Sequence, residues 1–295
     1  MTRFTRISSF AVAFALGGVV LAGSASAYNV TVDQLTIYKN GNLYINDEFN
    51  DGNAPPASGS NFGTGTTPAT YFAAGTWTEA NGRARMDSAN GPQVIQSGYS
   101  SNLINRHDAR LNSSNGADTA IGLRDNDSFY AMALFDLSSV LDKNGSSYNL
   151  RFRDSGSGNP INDEARIGVR RTNNGDLSIR FGDYDLDAGT FTVLDNDALQ
   201  PGFNQIILRL DNDGSGFATG SYAYVNGGID LADAGAIGAL GFTQMTGSAE
   251  LFSDNDWTRV SLSAFENIEV PEPDLALIFG AAFGALVWKR RRARH

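Results

Sequence analysis

The segment ARIGVRRTNNGDLSIRFGDY, residues 165–184, contains two runs in which every second residue is apolar. The dipeptide Asn174-Gly175 lies between the two runs. Alternation with a period of two is typical of a strand that buries one face, and Asn-Gly favours the tight turn of a hairpin. The segment therefore predicts two antiparallel strands joined by a turn.

The same pattern extends over most of residues 28–269. The whole chain has 33 glycines, a number that favours many turns between strands. Further strand-like segments occur at 28–38, 43–49, 128–137, 148–153, 189–195, 204–211, 220–228 and 257–270. Helix is disfavoured, since the best helical candidate, 231–240, is rich in glycine. About 10 to 13 strands with regularly spaced turns predict an all-β chain, folded as a single antiparallel β-sandwich domain over 28–269.

Two details refine this prediction. In the first strand the apolar parity changes from Val30 and Val32 to Leu35 and Ile37, which predicts a β-bulge or turn near Asp33. The stretches 51–70 and 96–118 are polar with little periodicity, and we expect them to form long loops.

The N-terminus has the organisation of a signal peptide. Arg3 and Arg6 precede an apolar core at 10–22, and Ala25 and Ala27 form a small-x-small cleavage pattern. We expect residues 1–27 to engage the Sec translocon and to be removed by signal peptidase. The alternative is an uncleaved N-terminal membrane anchor, for which the apolar core is short.

The C-terminus, VPEPDLALIFGAAFGALVWKRRRARH, residues 270–295, has three parts. Two prolines keep the Val270-Pro271-Glu272-Pro273 box extended. The apolar run 275–288 would span roughly 21 Å as a helix, against ~30 Å of bilayer hydrocarbon. A basic tail follows, made of Lys289, Arg290, Arg291, Arg292 and Arg294. The run predicts a short transmembrane helix with a cytoplasmic end; the alternative is an apolar helix packed on the domain.

In this order of parts the C-terminus resembles the PEP-CTERM sorting signal of Gram-negative bacteria, a module also called the ice-binding protein C-terminal domain. The resemblance implies processing by an exosortase, transient anchoring in the inner membrane, and delivery to the cell surface or the exopolysaccharide matrix. Asp274 stands where such signals often have Ser, Thr or Ala.

The body resembles concanavalin A-like and laminin-G-like domains over three segments. These are DEFNDG at 47–52, the stretch 203–228 that ends in Asn-Gly-Gly, and the final strand-like segment 257–270. The resemblance implies a jelly-roll-like sandwich whose last strand pairs back near the N-terminal strand.

Charge and composition exclude several classes of function. The net charge is −10, and seven of the 22 basic residues lie in the two terminal segments, so the body is strongly acidic. Nucleic acid is therefore not an expected partner. The chain has no cysteine, which excludes disulfides and thiol chemistry. His107 lies in a polar stretch, and the Glu-x-Asp-x-Glu pattern of sandwich-fold glucanases is absent from the sequence. We expect no catalytic residues and no enzyme activity.

Two kinds of binding residue remain as hypotheses. Asp211 and Asp213, in an Asp-Asn-Asp-Gly turn, offer oxygen ligands for calcium, although such residues also serve as ordinary turn formers. Trp77 and Trp257 are candidate platforms for sugar rings, although either could belong to the core. The sequence thus predicts a sorted, non-catalytic binder of extracellular polysaccharide; a polysaccharide-degrading enzyme with unrecognised acids and a purely structural matrix protein are the alternatives.

Overall fold

The structure is a computed structural model. It describes residues 29–49, 60–62, 69–74, 77–79, 82–87, 93–94, 103–112, 122–138, 144–154, 163–185, 190–251 and 258–268. The predicted signal peptide, the sorting segment at 270–295 and Trp257 lie outside these ranges.

These described residues form eighteen strands and one short helix. In chain order they are β1 (Asn29–Lys39), β2 (Asn42–Asp47), β3 (Ser60–Phe62), β4 (Ala69–Ala74), β5 (Trp77–Glu79), β6 (Ala84–Asp87), β7 (Gln93–Val94), β8 (Leu103–Asn112), β9 (Ser128–Asp136), β10 (Ser147–Asp154), β11 (Asp163–Arg171), β12 (Leu177–Asp185), β13 (Thr190–Ala198), β14 (Gln205–Asp213), β15 (Phe217–Val225), α1 (Ala234–Gly238), β16 (Thr243–Gln244), β17 (Ala249–Glu250) and β18 (Thr258–Ile268).

The strands belong to two antiparallel sheets. Sheet A has the order β16-β15-β14-β9-β1-β6-β5, with β17 beside β15 and β2 beside β1. Sheet B has the order β13-β12-β11-β10-β18-β8-β4-β3, with β7 beside β8. The prediction of an all-β chain built from antiparallel sheets is confirmed.

One apolar core lies between the sheets and draws buried side chains from both of them. Phe129 of sheet A contacts Phe152 of sheet B with ring centroids 4.9 Å apart. Phe135 stacks on Tyr148 across the same gap, at 4.7 Å. The two sheets therefore pack face to face in a sandwich-like arrangement, with the inward residues of each strand filling the space between them.

The hairpin that the sequence predicts at 165–184 is present as β11 and β12. Ile167 is paired with Phe181, and the pairing continues to Arg171 and Leu177. The loop is closed by a hydrogen bond of 2.7 Å, in which the backbone N–H of Thr172 donates to the carbonyl of Asp176. Gly175 has a φ of 89°, a left-handed conformation that glycine adopts without steric cost.

The bulge predicted near Asp33 is confirmed. The pairing of β1 with β9 shifts between Val32 and Gln34, so Asp33 is the extra residue. Because of this insertion, Val32 and Leu35 both point into the core although their positions have opposite parity. Asp33 is thereby left on the opposite face of sheet A, at one end of the sheet.

Three expectations about loops and strands were wrong. The segment 51–70 is not a loop throughout, because it contains β3 and the first two residues of β4. The segment 96–118 is not a loop throughout, because residues 103–112 form β8, which is paired with β18 and β4 on its two sides. Its backbone pairing with strands on both sides places this polar segment within sheet B. The last strand, β18, pairs with β8 and β10 in sheet B, whereas the N-terminal strand β1 lies in sheet A.

The middle of the outer face of sheet A is covered by a second apolar cluster. Leu231 and Ile237, from the segment around α1, pack there on Met132 and Ile207. Asp233 caps α1 by accepting hydrogen bonds from the backbone N–H groups of the next turn. The cover occupies the centre of the face and leaves the bulge end of sheet A to a separate group of polar residues.

Candidate functional site at the bulge end of sheet A

A cavity of about 570 Å³ opens at the end of sheet A where Asp33 forms the bulge. Its lining comes from the end of β9, the start of β14, the turn after β15 and the residue before β6. Four segments that are distant in the chain therefore meet at this point. Strand ends that converge on one edge of a sheet commonly supply the polar groups of a binding site.

An arginine held by two carboxylates is the central feature of the cavity. The Nε atom of Arg83 lies 3.0 Å from Asp33 Oδ1, and its Nη1 atom donates to Asp136 Oδ2 at 3.2 Å. The carboxylates are only 12 and 15 % exposed, whereas the Arg83 side chain is 51 % exposed. The guanidinium is thus fixed by two ion pairs while a large part of it faces solvent.

Gln205 extends this network below the surface. Its Nε2 donates to Asp33 Oδ2, and its pairing opposite Asp136 fixes its position on β14. Gln205 is 8 % exposed, and its Oε1 accepts no hydrogen bond from the described residues. A buried amide oxygen is costly to leave unpaired. Gln205 therefore holds Asp33 from beneath the cavity, and its Oε1 is a buried acceptor that solvent does not reach.

Phe203 supplies an aromatic surface at the rim. It belongs to the Pro201-Gly202-Phe203-Asn204 turn that leads into β14, and it is 36 % exposed. Its ring stacks on Tyr224 at 4.8 Å with an interplanar angle of 22°. One face of the ring is therefore supported from beneath, and the backbone of Asn204 is fixed on both sides of the turn by hydrogen bonds to Leu137 and Asn226.

The carboxyl of Asp33, which contacts Arg83, is affected mainly by its partial burial. Burial raises the pKa of its carboxyl above the ordinary value, while the hydrogen bond from Gln205 and the charge of Arg83 oppose the rise. The neighbouring negative charge of Asp136 adds to the rise. Asp33 is therefore more easily protonated than an ordinary aspartate, and its protonation would leave Arg83 facing one carboxylate.

The candidate calcium ligands lie at the other end of β14 and have partners of their own. Asp211 accepts a two-pronged ion pair from Arg209, with Nε to Oδ2 at 2.8 Å. Asp213 Oδ1 accepts from the backbone N–H of Ser215 at 2.9 Å, and hydrogen bonds from Ser215 hold the pKa of Asp213 below the usual range. Within the described ranges, no three His, Asp or Glu side chains come together as cation ligands. Calcium binding at Asp211 and Asp213 stays a prediction.

The other predicted residues are placed less completely. Trp77 begins β5 at the edge of sheet A, and Trp257 falls just before β18, outside the described residues. His107 lies in β8 rather than in a loop.

Among the helices of the described residues, none has the length and apolarity needed to cross a bilayer. Ala25, Ala27 and the box at 270–273 are not described.

Sequence reasoning missed Arg83, Asp136, Phe203 and Gln205. The bulge at Asp33 was predicted, but the residues around it come from β9, β14 and the position just before β6, and their convergence depends on the order of strands in the sheet. One local pattern could have drawn attention to Phe203, because a large aromatic residue in a Pro-Gly turn is poorly placed to reach a core.

Comparison with known proteins finds no relative of this chain: no family model, no curated protein and no solved structure matches it.

Proposed function

We propose that this protein is exported, sorted by an exosortase to the cell surface or the extracellular matrix, and binds polysaccharide there through the cavity at the bulge end of sheet A. The proposal for export and sorting rests on the two terminal segments of the sequence. The proposal for binding rests on one observation: an exposed ring, Phe203, lines the same cavity as the guanidinium of Arg83, which two carboxylates fix while half of the side chain faces solvent.

These groups match the chemistry of a sugar ring. A pyranose has apolar ring faces, which pack on aromatic side chains, and a rim of hydroxyl groups, which exchange hydrogen bonds with planar polar groups. Arg83 and Asp136 offer a donor and an acceptor side by side at the wall of the cavity. We further propose that the sandwich is of the jelly-roll type and that its role is non-catalytic.

A polysaccharide-degrading enzyme is the second candidate, because Asp136 lines the cavity and a second carboxyl group, that of Asp33, contacts the same arginine. The pKa of Asp33 is raised mainly by burial, and Asp136 faces the same guanidinium. Glycosidases use two carboxyl groups, of which the general acid has a raised pKa. Release of reducing sugar by the purified protein would establish this alternative, and binding without release would support the non-catalytic role.

The binding proposal is tested with the purified protein in affinity electrophoresis against a panel of soluble polysaccharides. Retention of the wild-type protein, lost in Phe203→Ala, is the expected result, because removing an exposed ring takes away the apolar platform. Phe217→Ala is the matched control, since Phe217 is also an exposed phenylalanine, at 44 %, and lies at the other end of sheet A. Equal retention of both variants would show that the cavity is not the binding site.

The sorting proposal is tested in a host that encodes an exosortase. A protein truncated before Pro271 should lose its association with the envelope and accumulate in the medium, whereas Lys289→Ala alone should leave sorting intact because four arginines remain in the tail. Envelope retention of the truncated protein would refute the sorting role of this segment.

A further inference from the structure

The turn after β15 places an Asn-Gly pair, Asn226-Gly227, at the cavity. In such a pair the backbone nitrogen of the glycine can attack the side-chain carbonyl carbon of the asparagine, because glycine has no side chain to obstruct the approach. A bond then forms between Gly227 N and Asn226 Cγ, the bond from Cγ to Nδ2 breaks, and ammonia leaves. Water opens the resulting succinimide ring at one of its two carbonyls and yields aspartate or isoaspartate.

The side-chain carbonyl of Asn226 is polarised by a backbone donor. The N–H group of Asn204 donates to Asn226 Oδ1 at 3.1 Å, and the carbonyl of Asn204 accepts in turn from the N–H of Leu137 at 2.8 Å. Attack at Cγ places negative charge on Oδ1, and a fixed backbone N–H that points at this oxygen stabilises the charge as it develops. The donor is therefore in position before the reaction begins.

The nitrogen of Gly227 is available for the attack. Its N–H donates no hydrogen bond within the part of the chain that the structure describes. Gly227 is exposed and has a φ of 79°, and a Cβ atom added to Gly227 or Gly228 would meet nothing within 4 Å. The turn thus has open space beside the atoms that close the ring.

The three other Asn-Gly pairs among the described residues each lack one of these two features. In Asn144-Gly145 the glycine N–H donates to the carbonyl of Arg171, at 2.8 Å, and in Asn174-Gly175 it donates to the carbonyl of Thr172, at 3.0 Å. The glycine of Asn40-Gly41 has no such bond within the described ranges, but no described N–H group donates to the side-chain oxygen of this asparagine. Only the pair at the cavity combines an available nitrogen with a polarised carbonyl among these four.

We propose that Asn226 is a site of spontaneous deamidation in the folded protein and that it reacts faster than Asn40, Asn144 and Asn174. The reaction adds a carboxylate next to the cavity. Where the product is isoaspartate, the main chain runs through the former side chain and is one methylene longer, directly before Gly227 and Gly228 in the cavity wall. The proposal concerns the chemistry of the turn alone, so it holds whichever ligand the cavity binds.

The experiment measures the rate of deamidation at each of the four sites in the purified protein. Folded protein and protein unfolded in guanidinium chloride are incubated at the same mildly alkaline pH. Samples taken over time are digested at acidic pH, which stops the reaction, and the peptides are quantified by mass spectrometry. The rate of each site in the folded protein is divided by its rate in the unfolded chain, because the unfolded rate contains only the effect of the local sequence. We expect this ratio for Asn226 to be at least threefold that for Asn40 and at least tenfold that for Asn144 and Asn174.

Asn40 is the matched control, since it also precedes an exposed glycine of positive φ and lies at the other end of β1 from the bulge. A ratio for Asn226 no higher than that for Asn40 would refute the contribution of the Asn204 N–H and overturn the proposal. A ratio no higher than those for Asn144 and Asn174 would overturn it as well, by showing that an available glycine nitrogen does not decide the rate. Because all four sites are measured in the same unmodified chain, neither result depends on a variant that must fold.

Discussion

The packing of the two sheets can be tested at Gly220, where they approach each other closely. A Cβ atom added to Gly220 of β15 would lie 2.6 Å from Cδ2 and 2.9 Å from Cγ of Phe181, on β12 of the opposite sheet. Carbon atoms in ordinary contact are about 3.5 to 4.0 Å apart, so the ring would have to move by roughly 1 Å. Phe181 is fully buried, and its neighbours leave little room for that movement.

We therefore expect Gly220→Ala to destabilise the protein by about 1 to 3 kcal/mol, the usual cost of an added methyl group in a tightly packed core. The backbone of Gly220 is not in the left-handed region, so the loss reflects the clash, offset in part by the lower conformational entropy that alanine gives the unfolded chain. For a domain of this size the midpoint of thermal unfolding should fall by roughly 2 to 4 °C per kcal/mol.

A double-mutant cycle with Phe181→Leu locates the clash. The smaller side chain leaves space for the new methyl group, so the double variant should be more stable than the sum of the single losses predicts, by about 1 kcal/mol or more. Gly241→Ala is the control, since an added Cβ there meets no atom within 4 Å. Chemical denaturation that gave additive losses, or a loss for Gly220→Ala no larger than for Gly241→Ala, would refute the face-to-face packing of β15 on β12.

Three further predictions concern charged groups. Glu164→Gln should destabilise the fold by about 3 to 5 kcal/mol in denaturant titration, because Glu164 pairs at 2.9 Å with Arg151 and both are almost fully buried; a loss below about 1 kcal/mol would contradict this. The pKa of Asp33 is raised in the folded state. The stability that Asp33 contributes is therefore present below the ordinary carboxyl pKa and is lost as the pH rises through the pKa of the folded state. Asp33→Asn should remove that part of the pH dependence of the free energy of unfolding. If Asp211 and Asp213 bind calcium, a chelator should lower the thermal midpoint of the wild type and leave Asp213→Ala unchanged; an unaltered wild-type midpoint would rule the ion out.

Local chemistry explains which parts of the fold the sequence predicts. The hairpin around Gly175 and the bulge at Asp33 depend on neighbouring residues only: alternation sets the buried face, and a change of parity marks the inserted residue. The strand β8 was missed because its stability comes from pairing with β4 and β18, which are distant in the chain or separated from it by polar segments. A polar strand between two others carries no period that separates it from a loop.

The candidate site was beyond sequence reasoning for a related reason. Arg83 and Asp136 are 53 residues apart and meet because β1 lies between β6 and β9 in sheet A. Strand order in an antiparallel sheet is set by the packing of the whole domain, and nothing in either segment encodes it alone. The sequence hypotheses centred instead on Asp211, Asp213 and two tryptophans. These residues were chosen by type alone, as oxygen ligands and aromatic platforms, because the sequence does not show which residues surround them in the fold.

The bulge connects the fold to the site. Without the extra residue, the parity that buries Val32 would turn Leu35 and Ile37 away from the core. With it, all three are buried, and two consecutive polar residues, Asp33 and Gln34, project on the outer face of sheet A. Gln34 then binds Asp230 in the cover over the centre of the face, while Asp33 binds Arg83 at the cavity. One inserted residue thus preserves the core and supplies a carboxylate that holds Arg83 at the wall of the cavity.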